Sequence, residues 1–435
     1  MSVVKSDIVG WLLDHLAYIN QSYRCCHHIP LDTQCHRYVF KAEYFDIGKP
    51  HIADSDIAGG QEPGSGDSRL RGRKCKRKSR EPNQGELEAQ EYHEKVSQAI
   101  RDGTRKLIEQ SIEVGEQGTD TRVPAGEDCS KKQITPVIAN SMLIELCSMA
   151  KQMVQEQHQP VQVISDEAES VEDLNLLAHL TENSSDCARI VMLMGHRYLL
   201  PPRSSFLLSD ISCMEPLLGY KKYDLITLDP PWENKSVKRS RGYSYLFPWQ
   251  IQQIPVPALS APGCLVVSWV TNRQRHLRFV KEELYPSWSI EVVAEWHWVK
   301  VTRHGEFVVP LDSTHKKPYE ILVLGRYKGS SERQNGEPIT KTVAVPDCKL
   351  LVSVPCVLHS HKPPLGEVLK GLTRPHPKCL ELFARNLQPG WTSWGNEVLR
   401  FQHLDYFQEL DTMEGGSSCC YSQTSTIEPI VPSSC

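Results

Sequence analysis

The sequence predicts an α/β fold over residues 204–411, a sheet covered by helices on both faces, preceded by a small α+β N-terminal domain at 1–52 and a helical middle region at 86–203. Two observations carry that expectation. Past residue 204 the chain turns to short apolar runs rich in β-branched and aromatic residues, at 206–211, 223–228, 263–271, 290–299, 320–327 and 379–383. Amphipathic stretches at about 273–285 and 365–372 sit between some of them. Strands alternating with helices imply a sheet with both faces buried, and ligands of such sheets bind at the carboxyl ends of the strands.

The N-terminal elements follow from spacing. Val4, Ile8, Trp11, Leu12, Leu16 and Ile19 recur at helical intervals after Ser6, a residue able to cap a helix, and Tyr38-Val39-Phe40 reads as a strand. Residues 53–85 turn to Gly, Ser, Asp and Pro and then to a basic block, 71–80, in which seven of ten residues are Arg or Lys. That composition predicts a flexible linker. A polar helix is expected over 86–114, then an apolar stripe of Ile138, Met142, Leu146, Met149 and Met153 as core packing, then a short helix opening at Ser170. The Ser/Cys-rich stretch 412–435 predicts a disordered tail.

A chain of 435 residues corresponds to about two or three domains. Its uninterrupted apolar runs fall well short of the roughly 20 residues that span a bilayer, so no membrane association is expected. The first segment has Asp7 and Asp14 in it and no short apolar core before a small-residue cleavage site, so a secretory signal is not supported. The 15 cysteines are accordingly expected to stay reduced. Net charge is −4, yet residues 200–411 hold 26 Lys+Arg against 21 Asp+Glu, a balance of +5 that leaves −9 for the rest. The C-terminal half is the better surface for a polyanion.

One motif carries chemistry. The strand 223–228 runs straight into Asp229-Pro230-Pro231-Trp232. Two adjacent prolines cannot continue a hydrogen-bonded ladder, so the strand must stop and hold a rigid loop at the sheet's carboxyl edge. An acid at that tip, carbonyls fixed by two rings and a flat aromatic, expected to be exposed, suit methylation of the exocyclic amine of a planar base. The adenine N6 lone pair is delocalised into the ring, and acceptors that hold the NH₂ favour a pyramidal, nucleophilic nitrogen. Asp229 and the Pro230 carbonyl can supply two acceptors, and Trp232 a stacking surface.

With this motif the chain resembles the DPPW-type adenine-N6 methyltransferases, the MT-A seventy (MT-A70) family. The likeness covers roughly 204–400. It includes, in matching order, Ser209-Asp210-Ile211, Ser268-Trp269-Val270-Thr271-Asn272-Arg273, Trp298-Val299-Lys300, Lys317-Pro318-Tyr319-Glu320, Ser360-His361-Lys362-Pro363, Glu381-Leu382-Phe383-Ala384-Arg385 and Trp391-Thr392-Ser393-Trp394-Gly395-Asn396. The resemblance implies a Rossmann-like domain that uses S-adenosyl-L-methionine. It assigns Asp210 and Ile211 to the adenine end of that cofactor, Asp229 to the reaction centre, Arg385, Asn386, Asn396 and Glu397 to its ribose and nearby groups, and Lys317 to its carboxylate. Two departures stand out: the chain is short after Arg385, which puts the role of Asn386 in doubt, and Glu397 stands where an amide is common. A G-x-G-x-x-G loop is missing, as it is from the family.

The resemblance further implies RNA as substrate, an adenosine in small nuclear RNA, with a 2′-O-methylated adenosine as one form of it. Adenine in DNA is the open alternative, and a catalytically silent nucleic-acid-binding partner is the alternative of another class. Intact Asp229 and Trp232 argue against silence and for activity without a partner subunit. In the segment after the motif, Lys235, Lys238, Arg239 and Arg241 are candidates for phosphates, and Tyr243 and Tyr245 for the flanks of a flipped-out base. The block 71–80 reads as a nuclear import signal or a nucleic-acid contact, which points to the nucleus with the cytosol open. Cys25-Cys26-His27-His28 with Cys35-His36 invites a zinc reading. Adjacent ligands suit tetrahedral zinc poorly and the chain has no C-x₂-C pair, so no metal is expected.

Overall fold

A computed structural model describes residues 2–28, 35–51, 83–115, 161–164, 179–193, 195–210, 213–233, 245–313, 316–329 and 343–410. Strands β1 (Val3–Asp7) and β2 (Gly10–Leu13) precede helix α1 (His15–Ser22), and β3 (Cys26–His28) and β4 (Arg37–Phe40) precede the long helix α2 (Gln84–Gly115). Short strands follow as β5 (Gln162–Val163), β6 (Thr181–Glu182), β7 (Ala188–Leu193), β8 (His196–Leu200) and β9 (Ser205–Leu207). Then come β10 (Tyr223–Leu228), β11 (Ser260–Val270), helix α3 (Gln274–Arg278), β12 (Ile290–Lys300) and β13 (Tyr319–Tyr327). The last strands are β14 (Leu350–Ser353), β15 (Cys379–Leu382), β16 (Trp391–Trp394) and β17 (Phe407–Leu410).

A twelve-stranded sheet in the order β1-β2-β14-β12-β13-β11-β10-β15-β16-β9-β6-β5 dominates the molecule. At its centre β11, β10, β15, β16 and β9 are all parallel. Strand β10 is buried along its whole length, its apolar residues facing both sides as in a strand covered on both faces, and the buried Asp224 is satisfied by Arg374 Nε and Lys378 N, each at 2.8 Å. One large core cluster joins Ile226, Leu228 and Val266 to α2 through Ile100 and Leu107, while Leu225, Leu265 and Val267 point into a second with Trp269, Trp296 and Trp298. The expected α/β fold is therefore present.

From β10 the chain crosses to β11 on one side, while β15, β16 and β9 lie on the other. The carboxyl end of β10 is thus the point where strand order reverses, where a crevice opens in folds of this kind. Strand β13 runs antiparallel to β11, with Val270 opposite Ile321, which brings residues just before Tyr319 to the same edge.

Several expectations change. The helical stripe from Val4 to Ile19 is a hairpin followed by a short helix: Val4 and Ile8 are 58% and 75% exposed. Asp14, not Ser6, caps the helix, its carboxylate accepting from Ala17 N at 2.8 Å. Gly10, at φ +152, lets β14 pair with β2, since a Cβ there would lie 1.9 Å from the Leu350 carbonyl oxygen. The N-terminal residues also form no unit of their own. Strand β2 pairs with β14, β3 with β7 and β4 with β17, so the segment is threaded through the rest. In the middle region α2 is helical as expected, but the described residues from 161 onward form strands β5 to β8. The linker to residue 82, the stripe 138–153, the helix expected from Ser170 and the tail from 412 lie outside the described residues.

Candidate active site

Four strand tips meet at the carboxyl edge: Ser209-Asp210 after β9, Asp229 after β10, Phe383-Ala384-Arg385 after β15 and Gly395-Asn396-Glu397 after β16. Gly395 allows two of these tips to touch, because a Cβ there would lie 2.8 Å from the Ala384 carbonyl oxygen. The neighbouring bond from Ala384 N to the Trp394 carbonyl, 2.9 Å, fixes the approach.

Asp229 sits in a cationic nest. Its Oδ2 accepts from Ser360 Oγ at 3.0 Å and Arg385 Nη1 at 3.1 Å, with Lys362 Nζ at 3.7 Å. Among the described residues its contacts fall on Oδ2, so Oδ1 is the oxygen that can face a bound amine. Arg385 in turn donates through Nε to Glu397 Oε2 at 3.2 Å, and Arg400 Nη1 donates to the other Glu397 oxygen at 3.0 Å. The acid–base chain Asp229–Arg385–Glu397–Arg400 crosses three strand tips. Lys362 bonds Glu320 as well and lies over the Trp269 and Trp298 rings at 5.1 and 5.8 Å. Burial raises the Glu320 carboxyl and lowers the Lys362 ammonium. The attraction between them, with Lys300 on Glu320 and Asp229 on Lys362, overcomes this and keeps both charged.

Glu381, in β15, is the titratable outlier of this edge. Burial raises its carboxyl to about 7, the Asp229 charge adds to the rise, and a 2.7 Å bond from Gln388 Nε2 opposes it.

The motif loop is braced from inside. The Trp232 N–H donates to the Pro230 carbonyl at 2.8 Å, so that oxygen keeps one lone pair for another donor. Leu246 N donates to the Pro231 carbonyl at 3.1 Å and closes the loop's far end. Trp232 itself differs from expectation. It is 6% exposed, donates through Nε1 to the Trp269 carbonyl at 2.9 Å, and stacks on His276 with centroids 5.2 Å apart. Burial lowers the His276 imidazole to about 4, with Arg275 and Arg273 lowering it further, so a neutral ring meets the indole. The loop needs an internal anchor, and an indole with one N–H supplies both apolar area and a bond. Exposed aromatic surface lies just beyond instead, at Phe247 and Trp249, 47% and 57% exposed, with Tyr245 edge-on to Phe247 at 5.2 Å.

Other expected site residues fall in different places. Asn396 is exposed beside Glu397, and Asp210 lies at the β9 tip. Asn386 lines a cavity against α1 with His15, Tyr18, Ile19, His361 and Phe401. Lys317 is lowered by burial and answers to Asp312, close enough to act on His93 of α2. The lysine beside Asp229 is Lys362, which the sequence contains in Ser360-His361-Lys362-Pro363 but which spacing alone could not bring to residue 229. Ile211, Lys235, Lys238, Arg239, Arg241 and Tyr243 lie outside the described residues.

Comparison with known proteins bears directly on this edge. The MT-A70 family pattern matches residues 223–397, from the first residue of β10 to Glu397. Over 95% of the chain, and 100% of the relative, the sequence is 47% identical to the human "N(6)-adenine-specific methyltransferase METTL4". The chain belongs to the MT-A70 family. Its likeness to other members is partial: 31% identity over 60% of the chain and 69% of the Pyricularia oryzae "N6-methyladenosine RNA methyltransferase MTA1", and 34% over 48% of the chain and 56% of the Caenorhabditis elegans "DNA N6-methyl methyltransferase". The family match runs from the start of β10 to the tip after β16, so it takes in β10 to β16 and leaves out β9 with its tip Ser209-Asp210. With 95% of the chain covered, the likeness to the human relative extends beyond the family match on both sides. No helix among the described residues is long and apolar enough to cross a membrane.

Proposed function

We propose that this MT-A70 protein transfers a methyl group from S-adenosyl-L-methionine to the N6 amine of adenosine in RNA. The observation that carries the reading is Asp229 at the reversal point of the sheet, with the Pro230 carbonyl beside it. Asp229 Oδ1 and the remaining Pro230 lone pair are two acceptors for the two hydrogens of one amine. Fixing that NH₂ reduces its conjugation with the ring and turns its lone pair outward, and positioning supplies most of the rate. When bound, the cofactor supplies a methyl on a positively charged sulfur. The donor set at the four tips suits it, with Asp210, Asn396 and Glu397 for hydroxyls and base, and Lys362 or Arg385 for a carboxylate. Asp229 need not be a strong base, because a methylated ammonium is acidic and sheds its proton readily.

On the substrate side, Tyr243, Tyr245, Phe247 and Trp249 would meet bases, and Lys235, Lys238, Arg239 and Arg241 phosphates. The human relative's name supports adenine N6 as target and the P. oryzae relative's name supports RNA. An adenosine of small nuclear RNA, 2′-O-methylated or not, is the finer form of the proposal. The C. elegans relative's name favours DNA as the second reading. Incubating the protein with isotope-labelled cofactor and matched RNA, 2′-O-methyl-RNA and DNA oligomers, then analysing nucleosides by mass spectrometry, separates these. Label in N6-methyladenosine of RNA supports the proposal. Label only in DNA moves the substrate, and no label in any oligomer, with nucleic acid still bound, makes the protein a silent binder. We further propose that the block 71–80 directs the protein to the nucleus. Its deletion should shift a fluorescent fusion to the cytosol and leave methylation in vitro intact; an unmoved fusion rejects this.

A further inference from the structure

Away from the methyltransferase edge, three chain segments meet at Cys25, Cys35 and Cys187. Backbone pairing explains why. Cys26 exchanges two hydrogen bonds with His36, at 2.9 and 2.8 Å, and Ala188 N donates to the Cys25 carbonyl at 3.0 Å. Each of the three cysteines therefore immediately precedes a residue that is locked to its neighbour. Cys25 Sγ lies 3.2 Å from Cys35 Sγ, 3.4 Å from Cys187 Sγ and 3.5 Å from His27 Nε2. The ligand atoms of Cys25, His27 and Cys35 all fall within 4.8 Å of one another.

The run Cys25-Cys26-His27-His28 looked unpromising because neighbouring residues cannot share a tetrahedral ion. Strand alternation removes that objection, since successive side chains point to opposite faces. Cys26 turns into the core and bonds the Tyr23 carbonyl at 3.3 Å, while Cys25 and His27 share the other side. None of the sulfurs is at the roughly 2.0 Å of a disulfide. A tetrahedral zinc with bonds of about 2.3 Å to sulfur and about 2.0 Å to nitrogen separates sulfur from nitrogen by about 3.5 Å and sulfur from sulfur by about 3.8 Å. The Cys25–His27 separation agrees and the Cys25–Cys35 and Cys25–Cys187 separations need only small outward shifts, while Cys187, outside the 4.8 Å group of the other three, must turn toward His27 and Cys35 to complete the site.

We propose that Cys25, His27, Cys35 and Cys187 bind one structural zinc ion. Three thiols release their protons to solvent and coordinate as thiolates, and the His27 imidazole binds neutral through Nε2. Soft sulfur ligands with one imidazole select zinc over calcium or magnesium, and four protein ligands leave no open position for catalysis. The ion would tie β3 and the segment just before β4 to the start of β7. It would thereby anchor α1, whose His15 ring meets His361 of the loop beside Asp229 at 4.7 Å.

The test uses the full chain, purified and dialysed against metal-free buffer. Elemental analysis should find one zinc per chain, less than half as much in Cys25→Ser and Cys187→Ser, and an unchanged amount in Cys348→Ser, an exposed thiol. Cobalt(II) added to the metal-stripped wild type should give the visible bands of a tetrahedral thiolate site, a readout that does not depend on a variant folding. A strong chelator should lower the melting temperature, and zinc but not magnesium should restore it. Protein that carries no zinc, or whose intact mass shows a Cys25–Cys35 disulfide in place of thiols, overturns the proposal.

Discussion

The Asp229 carboxylate and the Arg385 guanidinium meet at 3.1 Å across two adjacent strand tips, and both side chains are largely buried, 13% and 9% exposed. Arg385 is shared with Glu397, so the acid of the motif and the acid after β16 are held apart by one cation. Breaking a pair this buried leaves an uncompensated charge, whereas an isosteric change need not.

That arrangement makes Asp229→Asn the sharper test than Asp229→Ala. The amide keeps the shape, and Arg385 and Lys362 retain Glu397 and Glu320. Methyl transfer should fall by roughly 10²–10³-fold or more, because a preorganised acceptor is lost. The melting temperature should stay near wild type. A correctly folded Asp229→Asn protein with full turnover would remove Asp229 from the reaction.

Trp232 should behave as a core residue. Trp232→Ala is expected to cost about 3–5 kcal/mol of stability, the range of large aromatic truncations. Trp232→Phe keeps the ring contact with His276 but deprives the Trp269 carbonyl of its donor, a loss of about 1–2 kcal/mol. Chemical denaturation of both variants checks this, and an unchanged Trp232→Ala midpoint would contradict the buried placement.

Cofactor affinity measured by calorimetry separates the tip residues. Arg385→Ala should weaken S-adenosyl-L-methionine binding by roughly ten- to hundredfold, through lost hydrogen bonds and the exposed repulsion between Asp229 and Glu397. Asn396→Ala should weaken it with no change in melting temperature, since Asn396 is exposed. Unaltered affinity in both variants would place the cofactor elsewhere.

Glu381 gives a pH signature. Its folded-state value of about 7 lies above the ordinary glutamate value of 4.5, chiefly through burial. The folded state therefore holds a proton that the unfolded chain has released. This contribution is fully present below about pH 4.5 and is lost as pH rises toward 7. Glu381→Gln keeps an amide for Gln388 and cannot ionise, so relative to wild type it should gain roughly 1–3 kcal/mol at pH 8 and little at pH 4.5. Thermal melts of both proteins at the two pH values decide it; parallel curves would mean that Glu381 is ionised throughout.

The sequence by itself indicated an α/β sheet covered on both faces and adenine-N6 methylation. Strand β10 was legible with its bounds, because a strand covered on both faces is mostly apolar and two prolines must end it. The motif's acid and its rigid carbonyls are local facts, and the matching segments through Asn396 pointed to the family and suggested which residues to test for the cofactor. What needed the tertiary structure was every relationship between distant segments. The Val4 to Ile19 spacing fits a helix, yet pairing of β2 with β14 across more than 300 residues makes a hairpin there. Trp232 looked like a surface ring because nothing near it in sequence shows that His276 and the Trp269 carbonyl wait inside. Lys362 and Ser360 reach Asp229 only through the sheet, and the cysteines at 25, 35 and 187 converge only because backbone pairing puts their neighbours side by side. Local periodicity records which face of an element is apolar. Which element covers that face, and which charges it brings, is settled by contacts the chain makes only when folded.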